Sequence, residues 1–160
     1  MRQAVVAGAL AVAALNAFAS LNGAWIWYRG NPAADHGADG RLAKVFWVAL
    51  RVGQGSALTL AIAVGSLAAA GKHPRESLFY LYALLPLAVA FVAEQLRITS
   101  AQTILDQHDL EDAQAVGTLP EPEQKALVAT VLRREVGVMA LSALVVVFLA
   151  LRAAGTAHGF

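Results

Sequence analysis

Apolar positions dominate this chain in four long runs, at about residues 4–28, 45–70, 78–97 and 136–151, separated by shorter polar stretches. A bilayer's hydrocarbon core needs about 20 mostly apolar residues per helical span, and each run approaches or exceeds that length. The pattern predicts an all-α integral membrane protein with four transmembrane helices in an antiparallel bundle, and one domain over residues 1–160. The polar remainder comprises a Gly- and Asp-rich loop at 30–40, a turn around Gly71, Lys72, His73 and Pro74, and a longer segment at about 99–134.

That longer segment carries helical signals of its own. Thr118-Leu119-Pro120-Glu121 has the form of a capping box with proline at an early helical position, and no proline follows Pro122, so a helix can run from there into the fourth span. Nothing between Ala93 and Ala115 interrupts the third helix, where Leu96, Thr99/Ser100, Thr103/Ile104 and Gln107 recur at helical spacing. Helices three and four are therefore expected to extend beyond the membrane as a hairpin hinged near Gly117, reaching about 20 Å into water at 1.5 Å per residue. Its tip is acidic, with Asp106, Asp109, Glu111, Asp112, Glu121 and Glu123.

The first run also invites reading as a secretory signal, because Met1-Arg2-Gln3 is a short basic region and Ala17-Phe18-Ala19 resembles a cleavage site. The apolar stretch nevertheless continues through Leu21, Ala24, Trp25, Ile26, Trp27 and Tyr28, too long for a signal core and ending in aromatic residues of the interfacial type. An uncleaved first span is the stronger expectation.

Close packing must hold such helices together, since lipid supplies no hydrophobic drive between them. On the first helix Ala9, Ala13, Asn16, Ser20 and Gly23 fall on one stripe at spacings of four and three. On the second, Gly55, Thr59, Ala63, Ser66 and Ala70 form a comparable small-residue face. Both read first as helix-packing seams. Pro86 frees a carbonyl near Tyr82 in the third helix, which predicts a kink.

Composition sharpens this picture. Hydrophobic residues make up 58% of the chain against 14% charged, and the mean hydropathy is +0.58, which together exclude a disordered or ordinary soluble chain. Cysteine is absent, so thiol redox chemistry, thiolate metal sites and a disulfide scaffold are excluded. A formal net charge of +1 with scattered arginines gives no surface for nucleic acid. Sidedness follows from Lys and Arg: Arg29, Arg41, Lys44, Arg97, Lys125, Arg133 and Arg134 flank the 30–44 and 98–135 loops, while Arg2, Lys72, Arg75 and Arg152 lie on the other side. This excess favours those loops in the cytoplasm of a bacterial-type membrane.

Ionisable groups inside spans are expensive, and each is a functional candidate. Arg51 lies about two turns into the second run with Gln54 three residues on; Glu94 and Gln95 lie about one turn before the end of the third; Asn22 belongs at similar depth on the first. These five residues are the candidate intramembrane polar cluster, with an Arg51/Glu94 ion pair at its core. Against it stand snorkelling of Arg51 to the headgroups and pairing of Glu94 with Arg97 one turn away. A pair that fixes helix register is a stronger reading than a substrate site. Trp25, Trp27, Tyr28 and Trp47 mark one membrane face and Phe79, Tyr80 and Tyr82 the other. A quinone or lipid pocket beside Trp47 and Arg51 is a minor reading.

Catalytic and cofactor motifs are not found. His36, His73, His108 and His158 all lie outside the spans, so no histidine pair is placed to hold a b-type haem, and no metal or cofactor is expected. Asp35, His36 and Asp39 have the composition of a weak metal site, but a Gly-rich loop makes a solvated turn the better reading. Neither a nucleophile elbow nor a phosphate-cradling loop occurs, and Gly53-Gln54-Gly55 falls within a helix. The expected function is non-enzymatic: helix–helix assembly in the lipid bilayer, as an accessory or structural subunit of a membrane complex or as a homo-oligomer. The alternative is a small transporter or channel using the polar site at Arg51/Glu94. A lipid-modifying enzyme would need a polar residue converging on Glu94 from the fourth span, which offers only Ser142.

Overall fold

The computed structural model describes residues 2–29, 38–108 and 114–157, and these are helical apart from two connections. Four long helices, α1 (Arg2–Arg29), α2 (Ala38–Ala69), α3 (Leu78–Gln107) and α4 (Glu121–Thr156), are joined before α4 by a short 3-10 helix at Ala115–Thr118. All four are long and apolar enough to cross a membrane. Three exceed the apolar runs that predict them: α2 begins at Ala38 rather than near Val45, α3 continues to Gln107 beyond Arg97, and α4 begins well before Val136. Polar residues at these ends keep helical periodicity, and hydropathy does not register it.

α4 packs along α1 and α3, α1 along α2, and α2 less extensively along α3. The core has two layers. One joins Val5, Ala9 and Val12 of α1, Ala57, Leu60 and Val64 of α2, Phe79 and Ala83 of α3, and Val146, Ala150 and Ala153 of α4. The other joins Ala19 and Ile26 of α1, Phe46 and Leu50 of α2, Ala93 of α3, and Val136, Met139, Ala140 and Ala143 of α4. Small residues dominate the inside, while Leu10, Phe18, Leu21, Ile62, Phe91, Leu141 and Phe148 point outward. An outward apolar surface of this extent suits hydrocarbon surroundings, where close backbone approach rather than water exclusion holds helices together.

The α1 stripe is buried, with Ala9, Ala13, Asn16 and Ser20 between 0 and 7% exposed and Gly23 likewise inside. Glycine at 23 is a steric requirement, because a Cβ there would come 2.5 Å from Phe46 Cε2 and 2.7 Å from Ala140 Cβ. On α2, Gly55, Thr59, Ala63, Ser66 and Ala70 are exposed within the chain, and the face turned into it carries Phe46, Leu50, Gly53, Ala57, Leu60 and Val64. Phe46 and Leu50 provide the large anchors that the small-residue face lacks, and Gly53 provides the flat surface that receives Asn16.

The connections are set by local chemistry. α2 ends in a Schellman motif, in which Gly71 takes φ +75° and the amides of Gly71 and Lys72 donate to the carbonyls of Ala68 and Leu67, both at 3.0 Å. The expected capping box at Thr118 is not formed. Thr118 Oγ1 donates to its own 3-10 helix at Ala115 O, Pro120 is the N-cap, and Gln124 Nε2 reaches back to Leu119 O at 2.7 Å and Gly117 O at 3.2 Å. Proline at 120 fixes an extended backbone there, moving the helix start beyond the reach of the threonine. Glu121 and Glu123 occupy the first turn, where the helix dipole favours negative charge. Pro86 is buried inside an unbroken α3. Ser100 and Ile104 of α3 and Leu127 of α4 are buried as well, so both helices bury residues outside the apolar runs.

Candidate functional site

The polar residues of α2, α3 and α4 converge at the end of the bundle occupied by the Phe46 and Met139 layer. Arg51 Nη1 donates to Glu94 Oε1 at 2.6 Å and to Gln54 Oε1 at 2.8 Å. Glu94 Oε2 lies 3.4 Å from Arg97 Nη1, one turn further along α3. Arg97 Nε in turn lies 3.8 Å from Glu135 Oε1 of α4, and its guanidinium sits 5.3 Å from the centre of the Trp47 ring. Two arginines and two glutamates thus form a charge-balanced chain across three helices. The Arg51 side chain is 54% exposed and that of Glu94 27%, so the pair lies on the outer surface of the chain, not in its interior. Both alternatives for Glu94, Arg51 and Arg97, are realised together.

Of the five residues expected to cluster, Arg51, Gln54 and Glu94 come together. Asn22 does not join them: its Nδ2 donates to Phe18 O at 2.8 Å, one turn back on its own helix. Gln95 is exposed on α3 beside the cluster rather than in it, because one residue after Glu94 a helix has turned by about 100°. Glu135 was missed by sequence reasoning. It stands one position before the apolar run of α4, on the expected helical extension but outside the span in which ionisable groups were sought. Ser142 does not approach the cluster; its Oγ donates to Met139 O at 2.8 Å.

The aromatic belt is tied to cations. Arg29 lies over Trp25 at 4.6 Å, Arg133 over Trp27 at 5.6 Å, and at the other end Arg152 over Tyr82 at 5.8 Å. Such contacts hold long basic side chains at the level where lipid headgroups meet hydrocarbon. Trp27 also packs against α4, where a Cβ at Gly137 would fall 3.0 Å from its Nε1.

Among the described residues no three His, Asp or Glu side chains come together as a metal-ligand group. The Asp35, His36 and Asp39 group falls outside the described residues, Asp39 for its side chain, as do His158 and, from the acidic tip, Asp109, Glu111 and Asp112. Of the rest of that tip, Asp106 accepts from Gln102 at 2.9 Å and Glu121 pairs with Lys125 at 2.6 Å. His73 and Tyr80 share a hydrogen bond at 2.9 Å beside the α2–α3 turn. The surface also holds helix-lined grooves, among them one of about 630 Å³ between α1 and α2, bordered by Ala4, Gly8, Ala11, Thr59, Ala63 and Ser66, and one of about 480 Å³ between α1 and α4.

No family model matches the chain, and neither a curated protein nor a solved structure matches it.

Proposed function

We propose that this chain is a non-enzymatic integral membrane protein that acts by helix–helix assembly, as a structural subunit of a membrane complex or with further copies of itself. The observation that carries this reading is the outward small-residue face of α2. Gly55, Thr59 and Ala63 are exposed beside the α1 groove, and nothing lies within 4 Å of a Cβ built on Gly55. Thr59 Oγ1 and Ser66 Oγ each bond back to their own helix, to Gly55 O at 2.9 Å and Ile62 O at 2.8 Å, so the face asks for no further polar partner. A flat face of this kind permits the close backbone approach that drives association in lipid.

In this reading the helices run up and down as an antiparallel bundle. Support comes from the core layers, which pair the start of α1 with the end of α2, the start of α3 and the end of α4. α3 and α4 then continue past the membrane as a hairpin, with the 30–44 and 98–135 loops in the cytoplasm. The polar chain through Arg51, Glu94, Arg97 and Glu135 acts as a register clamp. Glu94 is held at both oxygens by arginines, which weighs against its use as a free proton-linked carboxylate in transport.

Native mass measured on protein extracted in a mild detergent, with co-purifying chains identified, tests the assembly. Stoichiometric subunits or a discrete homo-oligomer, lost on Thr59→Leu or Ala63→Leu, is the expected result. A monomer unaffected by either substitution overturns it. Because the chain has no cysteine, single cysteines placed at Lys125 and Lys72 report sidedness by labelling from one side of the membrane.

A further inference from the structure

The groove between α1 and α4 has two arginines and a tryptophan at its mouth. Its walls are Ser20 and Ala24 of α1 and Gly137, Val138, Leu141 and Leu144 of α4, and its end is closed by Trp27 and Arg134. Arg133 is stacked over the Trp27 ring at 5.6 Å. Arg133 and Arg134 are exposed and make no ion pair among the described residues, unlike Arg51 and Arg97, which are neutralised by glutamates. The adjacent carboxylate, Glu135, is turned to Arg97 of α3. The other acids of α4, Glu121 and Glu123, lie in its first turn, more than two turns away.

Two uncompensated guanidiniums therefore cap a largely apolar trough at the interfacial tryptophan. Trp27 Nε1–H makes no hydrogen bond within the described residues, and it adds a donor at the same level. From Arg134 to Leu144 α4 rises about 15 Å, the depth of one leaflet of a hydrocarbon core about 30 Å thick. The absence of a side chain at Gly137 and the small size of Ser20 and Ala24 keep the trough open over that length.

We infer that this groove is a binding site for an anionic phospholipid, with one acyl chain along Gly137, Leu141 and Leu144 and the phosphate held by Arg133 and Arg134. Charge complementarity selects this occupant over a zwitterionic lipid or a partner helix, because either of those leaves two guanidiniums at the headgroup level without an anion. The site is separate from the α2 face on which assembly rests, and the two stand or fall independently.

The test uses the full chain in a neutral detergent, titrated with phosphatidylglycerol and with phosphatidylcholine of identical acyl chains, bound lipid being counted by native mass spectrometry. The expected preference for phosphatidylglycerol is roughly tenfold to thirtyfold, the factor that two surface arginines supply toward an anionic headgroup. R133Q/R134Q should abolish the preference. A24L, which places a larger side chain in the trough at an exposed position, should weaken binding of both lipids about tenfold while helical content and melting stay unchanged. R152Q, at the opposite end of the bundle, should leave the preference intact, and inorganic phosphate alone should not compete. Equal binding of the two lipids, a preference that survives R133Q/R134Q, competition by inorganic phosphate, or an A24L variant that changes oligomeric state but not lipid binding would each overturn the assignment, the last by making a second copy the occupant.

Discussion

Asn16 of α1 and Gly53 of α2 are fitted to each other so closely that a Cβ at Gly53 would stand 2.9 Å from Asn16 Oδ1 and 3.0 Å from its Cγ. Asn16 is only 2% exposed, and its Nδ2 donates to Val12 O at 2.9 Å while the whole amide group lies against Gly53. A polar side chain is thus accommodated between the two core layers by removing a methyl from the opposing helix. Gly53→Ala should destabilise the fold by about 1–3 kcal/mol, the usual cost of overpacking. Asn16→Ala in the same chain should relieve part of it, giving a coupling of at least about 0.5 kcal/mol in a double-mutant cycle read by thermal melting. Additive effects would show that the contact does not set the spacing of α1 and α2.

Gly23 should be less tolerant still. Its missing side chain admits both Phe46, which is fully buried, and Ala140 of α4, so Gly23→Ala must displace two helices at once. Flexible side chains can yield to a methyl, but the Ala140 Cβ is fixed to its backbone. The expected outcome is a loss of about 3 kcal/mol or more, at the upper end of overpacking effects. Gly55→Ala, with open space around it, should not lower the melting temperature and should raise it slightly through helix propensity. A similar loss for both substitutions would show that the contacts at Gly23 do not set the cost, because helix propensity alone favours alanine over glycine.

The four helices and the buried stripe of α1 were legible in the sequence for different reasons. Apolar runs announce spans through length alone. The α1 stripe stands out because Asn16 and Ser20 recur with Ala13 and Gly23 among larger residues that point outward, such as Phe18 and Leu21. On α2 the same reasoning did not identify the face buried within the chain, since small residues occur on both faces: Gly53, Ala57 and Ala61 inside, Gly55, Thr59 and Ala63 outside. Which face is buried was decided by partners on other helices, Asn16 above all, and no single helix records that. The meeting of Arg51 with Glu94 was legible from depth in the membrane. Arg97 was legible as an alternative partner of Glu94 one turn away, but Glu135 was not, because it lies just outside the apolar run in which intramembrane charges were sought.

Gly71 should resist any substitution that adds a side chain. Its φ of +75° closes the Schellman motif at the end of α2, and an L-residue there costs about 1–2 kcal/mol in backbone strain even with space available. Gly71→Ala is expected to lower stability by about 1 kcal/mol and to speed amide exchange at Gly71 and Lys72, whose N–H groups bond Ala68 and Leu67. Unchanged exchange at these two amides would show the turn to be held by other contacts.

The start of α4 distinguishes two capping schemes. If Thr118 capped the helix, Thr118→Val would expose an unsatisfied amide and cost about 1 kcal/mol. With its hydroxyl turned to Ala115 O, that substitution should be nearly neutral, whereas Gln124→Ala removes the bonds to Gly117 O and Leu119 O together. Hydrogen exchange over residues 114–124 should therefore quicken for Gln124→Ala and stay put for Thr118→Val. The opposite ranking would restore the capping box.

Glu94 decides between a clamp and a conduit. Its carboxylate lies 2.6 Å from Arg51 and 3.4 Å from Arg97, so Glu94→Gln leaves Arg51 with Gln54 alone and Arg97 with Glu135 at 3.8 Å. Charge-assisted hydrogen bonds of this kind contribute about 1.5–3 kcal/mol, and the loss should appear as a lower melting temperature in detergent and in reconstituted vesicles. Arg51→Gln combined with Glu94→Gln should cost less than the two changes summed, because the second removes a charge that the first has orphaned. Ion or proton flux in the vesicles should not depend on Glu94 at all. Should Glu94→Gln instead abolish a measurable flux while the melting temperature holds, the carboxylate would belong to a transport path and the clamp would be the wrong account of it.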